Sequence, residues 1–428
     1  MSEYRFDTNC VHGAYRAKSG EPQELPICQS TTYRYYDSAD VAKLFDLDSA
    51  DHMYTRISNP TVSALEEKIA MLEGGTAAVC TSAGQSATLI ACLNIASKGD
   101  HILCSTNVYG GTNNLLNVTL RRLGIESDFI PADATLEQIL SMARPNTKLI
   151  FGETLGNPAL SVLDFALYSE AAQRIGVPLI VDNTLATPWL CRPLEHGANI
   201  VVHSTTKYAD GHALAVGGAV VDGGNFDWKA SGKYPGMCEP DESYHGLIFA
   251  EKFPTCPFAV KLRGQLLRDL GCVMSPMNAF LTHLGLETLH LRMERHCANA
   301  TALAEHLTQS PYVDWVFYPG LPDNPYHELQ KKYMPRGAGG VLTFGIKGGL
   351  EAGNDFVRHL KLISLAVHVG DIRSCVLHPS STTHRQLSEA DQIAAGIKPE
   401  LIRVSVGCED IRDIISDFDA ALKASARI

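Results

Sequence analysis

The chain has 428 residues, 45% of them hydrophobic and 19% charged, too many for one small core, so two packed domains of a soluble globular enzyme are expected. A formal net charge of -11 argues against nucleic acid or an anionic membrane as the main partner, and any anionic ligand must find locally arranged donors. The N-terminus, Met1-Ser2-Glu3-Tyr4-Arg5-Phe6-Asp7, lacks a charged-then-apolar signal pattern, and no apolar run reaches the roughly 18 residues of a membrane span, which predicts a cytoplasmic location.

Residues 1–60 show no regular alternation and read as an N-terminal arm that packs on a partner subunit rather than on its own core. Within it, Tyr54-Thr55-Arg56-Ile57-Ser58-Asn59-Pro60 sets a phenol and a guanidinium two residues apart. In an extended segment that spacing directs both side chains to one side, and arginine plus hydroxyl makes a good phosphate fork.

From residue 61 helical and strand patterns alternate. Leu65, Ile69 and Leu72 mark a helix over 63–72, stopped by Gly74-Gly75. Strands are predicted at 77–81, 100–104, 125–130, 148–153, 177–181, 199–203 and 217–221. Most intervals can hold a crossover helix, so the expected fold class is α/β, a mainly parallel, doubly wound sheet covered on both faces. The last strand, within Ala213–Val221, follows its neighbour closely, and an antiparallel run is expected there. Past about residue 270 the pattern changes to a long helix, Met277 to about Gln309, then to strand-like runs at 313–317, 340–346 and 401–406. The expected division is an arm over 1–60, a ligand-binding α/β domain over 61–270 and a smaller α+β domain over 271–428.

Cysteine and histidine carry no metal signal. Of the twelve cysteines, Cys80 and Cys104 lie inside apolar runs and no Cys-x-x-Cys pair occurs, so buried reduced thiols are expected. The sixteen histidines form no His-Glu-x-x-His arrangement, and no catalytic metal is expected.

The chemistry concentrates at strand ends. Val177-Pro178-Leu179-Ile180-Val181 delivers Asp182-Asn183-Thr184, and Asn199-Ile200-Val201-Val202 delivers His203-Ser204-Thr205-Thr206-Lys207. The C-terminal rim of an open parallel sheet is where ligands sit. An amine and a carboxylate on one rim, with hydroxyls just before the amine, suit pyridoxal 5'-phosphate: Lys207 for the Schiff base, Asp182 for the pyridine nitrogen, Ser204 and Thr206 for the phosphate. Thr81-Ser82-Ala83-Gly84-Gln85-Ser86 adds a glycine-containing turn before a helical pattern, where free backbone N–H groups meet a phosphate. No Gly-x-Gly-x-x-Gly stands there, which counts against a nicotinamide dinucleotide. Tyr109, after the next strand, is placed to lay its ring on a flat cofactor.

These segments, together with Leu72-Glu73-Gly74-Gly75, Tyr109-Gly110-Gly111-Thr112, Asn157-Pro158 and His378-Pro379-Ser380-Ser381-Thr382-Thr383-His384, resemble the cysteine/methionine-metabolism family of pyridoxal-phosphate enzymes, in family order over nearly the whole chain. The resemblance implies the fold-type-I transferase architecture and a homotetramer built from dimers, with Tyr54 and Arg56 reaching the phosphate of the neighbouring subunit. It makes Lys207 the Schiff-base lysine, Asp182 the pyridinium partner and Tyr109 the stacking ring and a helper in proton transfer. Gly84 and Gln85 backbone amides, with Ser204 and Thr206, complete the phosphate site; Arg403 clamps the substrate α-carboxylate, with Asn157 beside it. One departure is Ser82-Ala83-Gly84-Gln85-Ser86 where many members have Ser-Gly-Met-Ala-Ala.

Within the family, Phe226-Asp227-Trp228, the Pro240–Gly246 segment, the inserted length at 225–260 and Gly370-Asp371 resemble the O-acetylhomoserine sulfhydrylase branch. That likeness implies replacement of the acetyl group of O-acetylhomoserine by sulfide or a small thiol, giving homocysteine or methionine. Gly111 stands where methionine γ-lyases usually carry cysteine, and His368 where asparagine or serine is more usual. The alternatives are a methionine or cystathionine γ-lyase or cystathionine γ-synthase of the same family and, in a different class, a non-catalytic cofactor-binding regulator, for which no partner-binding appendage is seen.

Overall fold

In the computed structural model, which describes residues 4–382, 385 and 398–425, the apolar runs after residue 77 form a seven-stranded sheet. Its strands are β1 (Ala77–Thr81), β2 (His101–Ser105), β3 (Glu126–Ile130), β4 (Thr147–Glu153), β5 (Leu179–Asp182), β6 (Ile200–His203) and β7 (Gly218–Asp222), ordered β1-β7-β6-β5-β4-β2-β3. Strands β2 to β6 pair in parallel, and β7 runs antiparallel to both β1 and β6. Each expected strand is present within two residues of its expected ends, and β7 is antiparallel as its short connection implied.

Strands buried on both faces read as continuous apolar runs. Successive residues point to opposite faces, so Ile150, Leu179, Val181 and Val201 enter one core, with helices Pro60–Glu73 and Phe165–Ile175. Leu149, Phe151, Ile180 and Ile200 enter a second core on the other face, with helix Gly84–Leu93. The Pro60–Glu73 helix shows why its sequence starts and stops there: Asn59 accepts from the N–H groups of Thr61 and Val62, Pro60 takes the first position, and Gly74 (φ 78°) closes it in the left-handed region.

A second sheet joins β8 (Val313–Phe317), β9 (Val341–Ile346), β10 (Ser364–Leu365), β11 (Cys375–Leu377) and β12 (Leu401–Ser405) in the order β10-β11-β12-β9-β8. Phe344, Phe356 and Phe418 join its own core beneath helices Leu289–Thr308, Gly349–His359 and Ile411–Ser425. Among the described residues all twelve cysteines are free, and no helix is long and apolar enough to cross a membrane.

Two expectations are corrected. The single helix expected from Met277 to about Gln309 is two, Pro276–Glu287 and Leu289–Thr308, divided at Thr288. Arg292 supplies the reason: its guanidinium donates to the Gly285 carbonyl at 2.6 Å and the Tyr208 carbonyl at 2.7 Å, taking the acceptor that a continuous helix would give to its next turn. The arm is also not wholly without a core in its own chain. Phe6 and Cys10, one helical turn apart, carry helix Phe6–His12 into the core that holds Leu65 and Ile69. A second short helix, Ser38–Phe45, is capped by Asp37. Thr383 and His384, the end of the His378 segment, lie outside the described residues.

Candidate active site

Strands β5 and β6 end side by side, Asp182 opposite Val202, so the chain leaving β6 carries Ser204 past Asp182. It then turns tightly, with Lys207 N–H donating to the Ser204 carbonyl and Gly211 N–H to the Lys207 carbonyl at 2.8 Å. The 367–371 loop lies against this turn. A Cβ on Gly370 (φ 83°) would come within 2.7 Å of the Tyr208 nitrogen, so this approach requires glycine.

A cavity of about 240 Å³ opens between the large sheet's rim and the smaller sheet. Gly84, Gln85, Tyr109, Asn157, Asp182, Ser204, Thr206, Lys207 and Arg403 all line it. Tyr54 and Arg56 do not. The Arg56 guanidinium donates to the Arg268 carbonyl and lies over the Tyr54 ring, away from the cavity of its own chain.

The electrostatics of the cavity are unbalanced in a way that specifies what fills it. Asp182 accepts from Thr184 N–H at 2.9 Å and, among the described residues, makes no ion pair. Burial pushes its carboxyl above the ordinary value, against the hydrogen bonds from Thr184 and the nearby His203; a cation delivered to it would offset that cost. Arg403 donates to Asn157 Oδ1 and the His368 carbonyl, both at 3.2 Å. Its Nε is buried without a partner, and it too has no ion pair among the described residues. Lys207 is held below its ordinary value by burial and then by the Arg403 charge, which favours a free amine.

Backbone phosphate donors are open as well, whereas the Thr206 hydroxyl donates to the Gly217 carbonyl at 3.1 Å and accepts from Gly217 N–H at 3.0 Å. The Gly84–Leu93 helix begins at Ala83 with no side-chain cap, leaving its first N–H groups free toward the cavity. Gly84 packs so closely on Ser204 that a Cβ there would fall 2.5 Å from the serine Cβ. A buried carboxylate without an ion pair among the described residues, an uncapped helix start, the Ser204 hydroxyl and an amine whose free form is favoured, all in one cavity, fit the pyridinium, phosphate and aldehyde of pyridoxal phosphate.

Glu153 was not singled out from the sequence. It ends β4 directly opposite Asp182, accepts from Tyr109 N–H at 2.6 Å, and is pushed well above the ordinary range by burial and by Asp182. The signal was its place at the end of a predicted strand. Behind the cavity, His203 Nε2 and Asn183 Nδ2 meet Glu73 Oε1 at 2.6 and 2.8 Å, bracing the ends of β5 and β6.

Fold and site together define an enzyme whose cavity suits an aldehyde cofactor. The chain belongs to the Cys/Met metabolism PLP-dependent enzyme family, whose profile matches residues 7–423, and its cofactor is pyridoxal phosphate. It is 44% identical to an O-acetyl-L-homoserine sulfhydrylase of Leptospira meyeri over 430 residues, 98% of this chain and 97% of that one. It is also 44% identical to a homocysteine synthase of Schizosaccharomyces pombe over 423 residues, 98% of each. A crystal structure described as an O-acetylhomoserine (thiol)-lyase of Campylobacter jejuni, containing N'-pyridoxyl-lysine-5'-monophosphate, is 36% identical. It superposes with a TM-score of 0.94, covering 98% of this chain and 100% of that one. The architecture is therefore the fold type I of these enzymes.

Proposed function

We propose that the protein replaces the acetyl group of O-acetyl-L-homoserine by sulfide or a small thiol, giving homocysteine or methionine. The carrying observation is the half-buried Arg403 guanidinium, without an ion-pair partner among the described residues, facing Lys207 and Asp182 across one cavity. The full-length likeness to the Leptospira and Schizosaccharomyces enzymes supports the acyl donor.

The bound cofactor supplies an electron sink for the charge left when Cα loses a proton. The chain's residues do the rest. Asp182 keeps the ring nitrogen protonated, and Tyr109, fixed through Glu153, stacks on the ring. The helix start at Gly84 and Gln85, with Ser204 and Thr206, holds the phosphate. Arg403 and Asn157 orient the substrate carboxylate so that Cα–H faces Lys207, whose amine moves protons at Cα and Cβ as acetate leaves Cγ.

A product assay with O-acetyl- and O-succinyl-homoserine against sulfide, methanethiol and cysteine tests the reading. Homocysteine from the acetyl ester and sulfide is expected; 2-oxobutyrate formed regardless of sulfide would identify a lyase instead.

Arg403→Ala is expected to raise KM for O-acetylhomoserine while leaving cofactor affinity alone, a loss of about 2–5 kcal/mol for truncating one side of a buried charge pair. Titrating the variant with substrate while following the cofactor's absorption checks this; saturation at the wild-type concentration would rule out the clamp.

The assembly belongs to the same reading: a cytoplasmic homotetramer, a dimer of dimers, in which Tyr54 and Arg56 of the 1–60 arm reach the partner's phosphate, with the cofactor held by 61–270 and closed over by 271–428. The placement of Arg56 away from its own cavity supports this. Mixing inactive Arg56→Ala with inactive Lys207→Ala subunits should restore activity, because each hybrid dimer holds one site with both lesions and one with neither. No recovery in mixtures shown by mass to contain hybrids would place the site within one chain.

A further inference from the structure

We propose that His368 is the proton partner of Lys207, taking the proton that the amine collects and returning it; the inference rests on the reading of Lys207 as the base. His368 lines the cavity, and its Nδ1 lies 3.5 Å from Lys207 Nζ. Its backbone is fixed on both sides. The His368 carbonyl accepts from Arg403 Nη2 at 3.2 Å and from Cys375 Sγ at 3.3 Å, and Gly370 is seated on the Lys207 turn.

The ring is polarised by what surrounds it. Burial and the Lys207 and Arg403 charges favour the neutral imidazole, against Asp371 and Asp210, so an Nδ1 that faces an amine is an acceptor and Nε2 carries the hydrogen. Nε2 is buried with no partner among the described residues. Lys207, for its part, has no carboxylate at ion-pair distance among the described residues, and its side-chain nitrogen hydrogen-bonds to His368.

The reaction asks one amine to remove a proton from Cα and then to act again at Cβ. An ammonium cannot act as a base, so it must pass its proton on before it acts again, and His368 Nδ1 is a side-chain acceptor within reach of it. In the step proposed, the Nζ–H bond breaks as the Nδ1–H bond forms, giving back the free amine and leaving an imidazolium. The imidazolium then returns the proton to Nζ or releases it to water at the cavity mouth, with no change in oxidation state. Because burial and the Arg403 charge disfavour the imidazolium, the proton does not stay.

The test uses His368→Ala and His368→Gln holoenzymes. Expected is a fall in kcat of about 100-fold, the scale of one general acid–base group, with substrate KM nearly unchanged. Pyridoxal phosphate affinity measured by fluorescence titration of the apoprotein, and Tm, should match wild type. Added imidazoles should restore turnover to His368→Ala in order of their basicity. Should that variant not fold, His368→Gln carries the test: it keeps polar volume, cannot relay a proton, and should show the same loss. Wild-type kcat in either variant would overturn the proposal, as would a loss that no imidazole restores in a folded His368→Ala. Exchange of the α-hydrogen of L-methionine in D2O separates this from the substrate assignment. If wild type exchanges that hydrogen but does not use O-acetylhomoserine, the assigned substrate fails while the role of His368 is still read from the exchange rate.

Discussion

Lys207→Ala is expected to abolish turnover, a fall on the order of 10⁴-fold or more, the scale for deleting a residue that carries a covalent step. Among the described residues the amine is the one lysine nitrogen lining the cavity, and burial together with Arg403 holds it below its ordinary value, which favours the free base. The groups proposed to hold the phosphate, at Gly84, Ser204 and Thr206, are untouched by the change. The variant should therefore still hold some cofactor while losing the visible absorption of the lysine-bound form. Turnover and the absorption spectrum measured on one preparation check both parts, and wild-type turnover in the variant would remove Lys207 from the reaction.

Asp182→Asn is expected to lower kcat on the order of 10³-fold while leaving the fold intact, comparable with the loss of a strong preorganised electrostatic contact. The amide keeps the shape and can still accept from Thr184 N–H, as the carboxylate does at 2.9 Å. It cannot keep the ring nitrogen protonated, so the ring no longer draws charge from Cα. Thermal unfolding separates chemistry from structure. The native carboxyl is raised by burial, so its ionisation in the cofactor-free protein costs stability as pH rises, and that cost is absent below its unfolded value. Apo Asp182→Asn should consequently be at least as stable as apo wild type above neutral pH. Unchanged kcat in a cofactor-loaded variant would make Asp182 a structural residue.

Much of the site was legible because parallel strands announce themselves as apolar runs and their ligand-binding ends come with them. Leu179-Ile180-Val181 and Ile200-Val201-Val202 are buried on both faces, so the polar residues that follow each run are delivered to the rim, and Asp182, Ser204 and Lys207 line the cavity there. The antiparallel β7 followed from its short connection to the neighbouring strand. Glu153 ends an equally clear run, yet its role depends on which strand lies beside β4. Pairing order is not written in the run itself, because any two such strands can hydrogen-bond equally well. The helix break at Thr288 was hidden for a similar reason. Local periodicity continues through it, and it is Arg292, reaching the Tyr208 carbonyl 84 residues away, that overrides the local preference.

Sequence by itself determined the strand set, the mainly parallel winding of the sheet and the residue types on its rim, since these follow from side-chain periodicity and connection length over short distances. Tertiary structure alone decided which groups meet. It set Asp182 and Arg403 in one cavity without ion-pair partners among the described residues, brought His368 to 3.5 Å from Lys207, turned Arg56 away from its own cavity and carried Phe6 and Cys10 of the arm into the chain's own core. Such meetings depend on the docking of two sheets whose residues are far apart in the chain. That docking is settled by the summed burial of many side chains, none of which carries the geometry in its own local pattern.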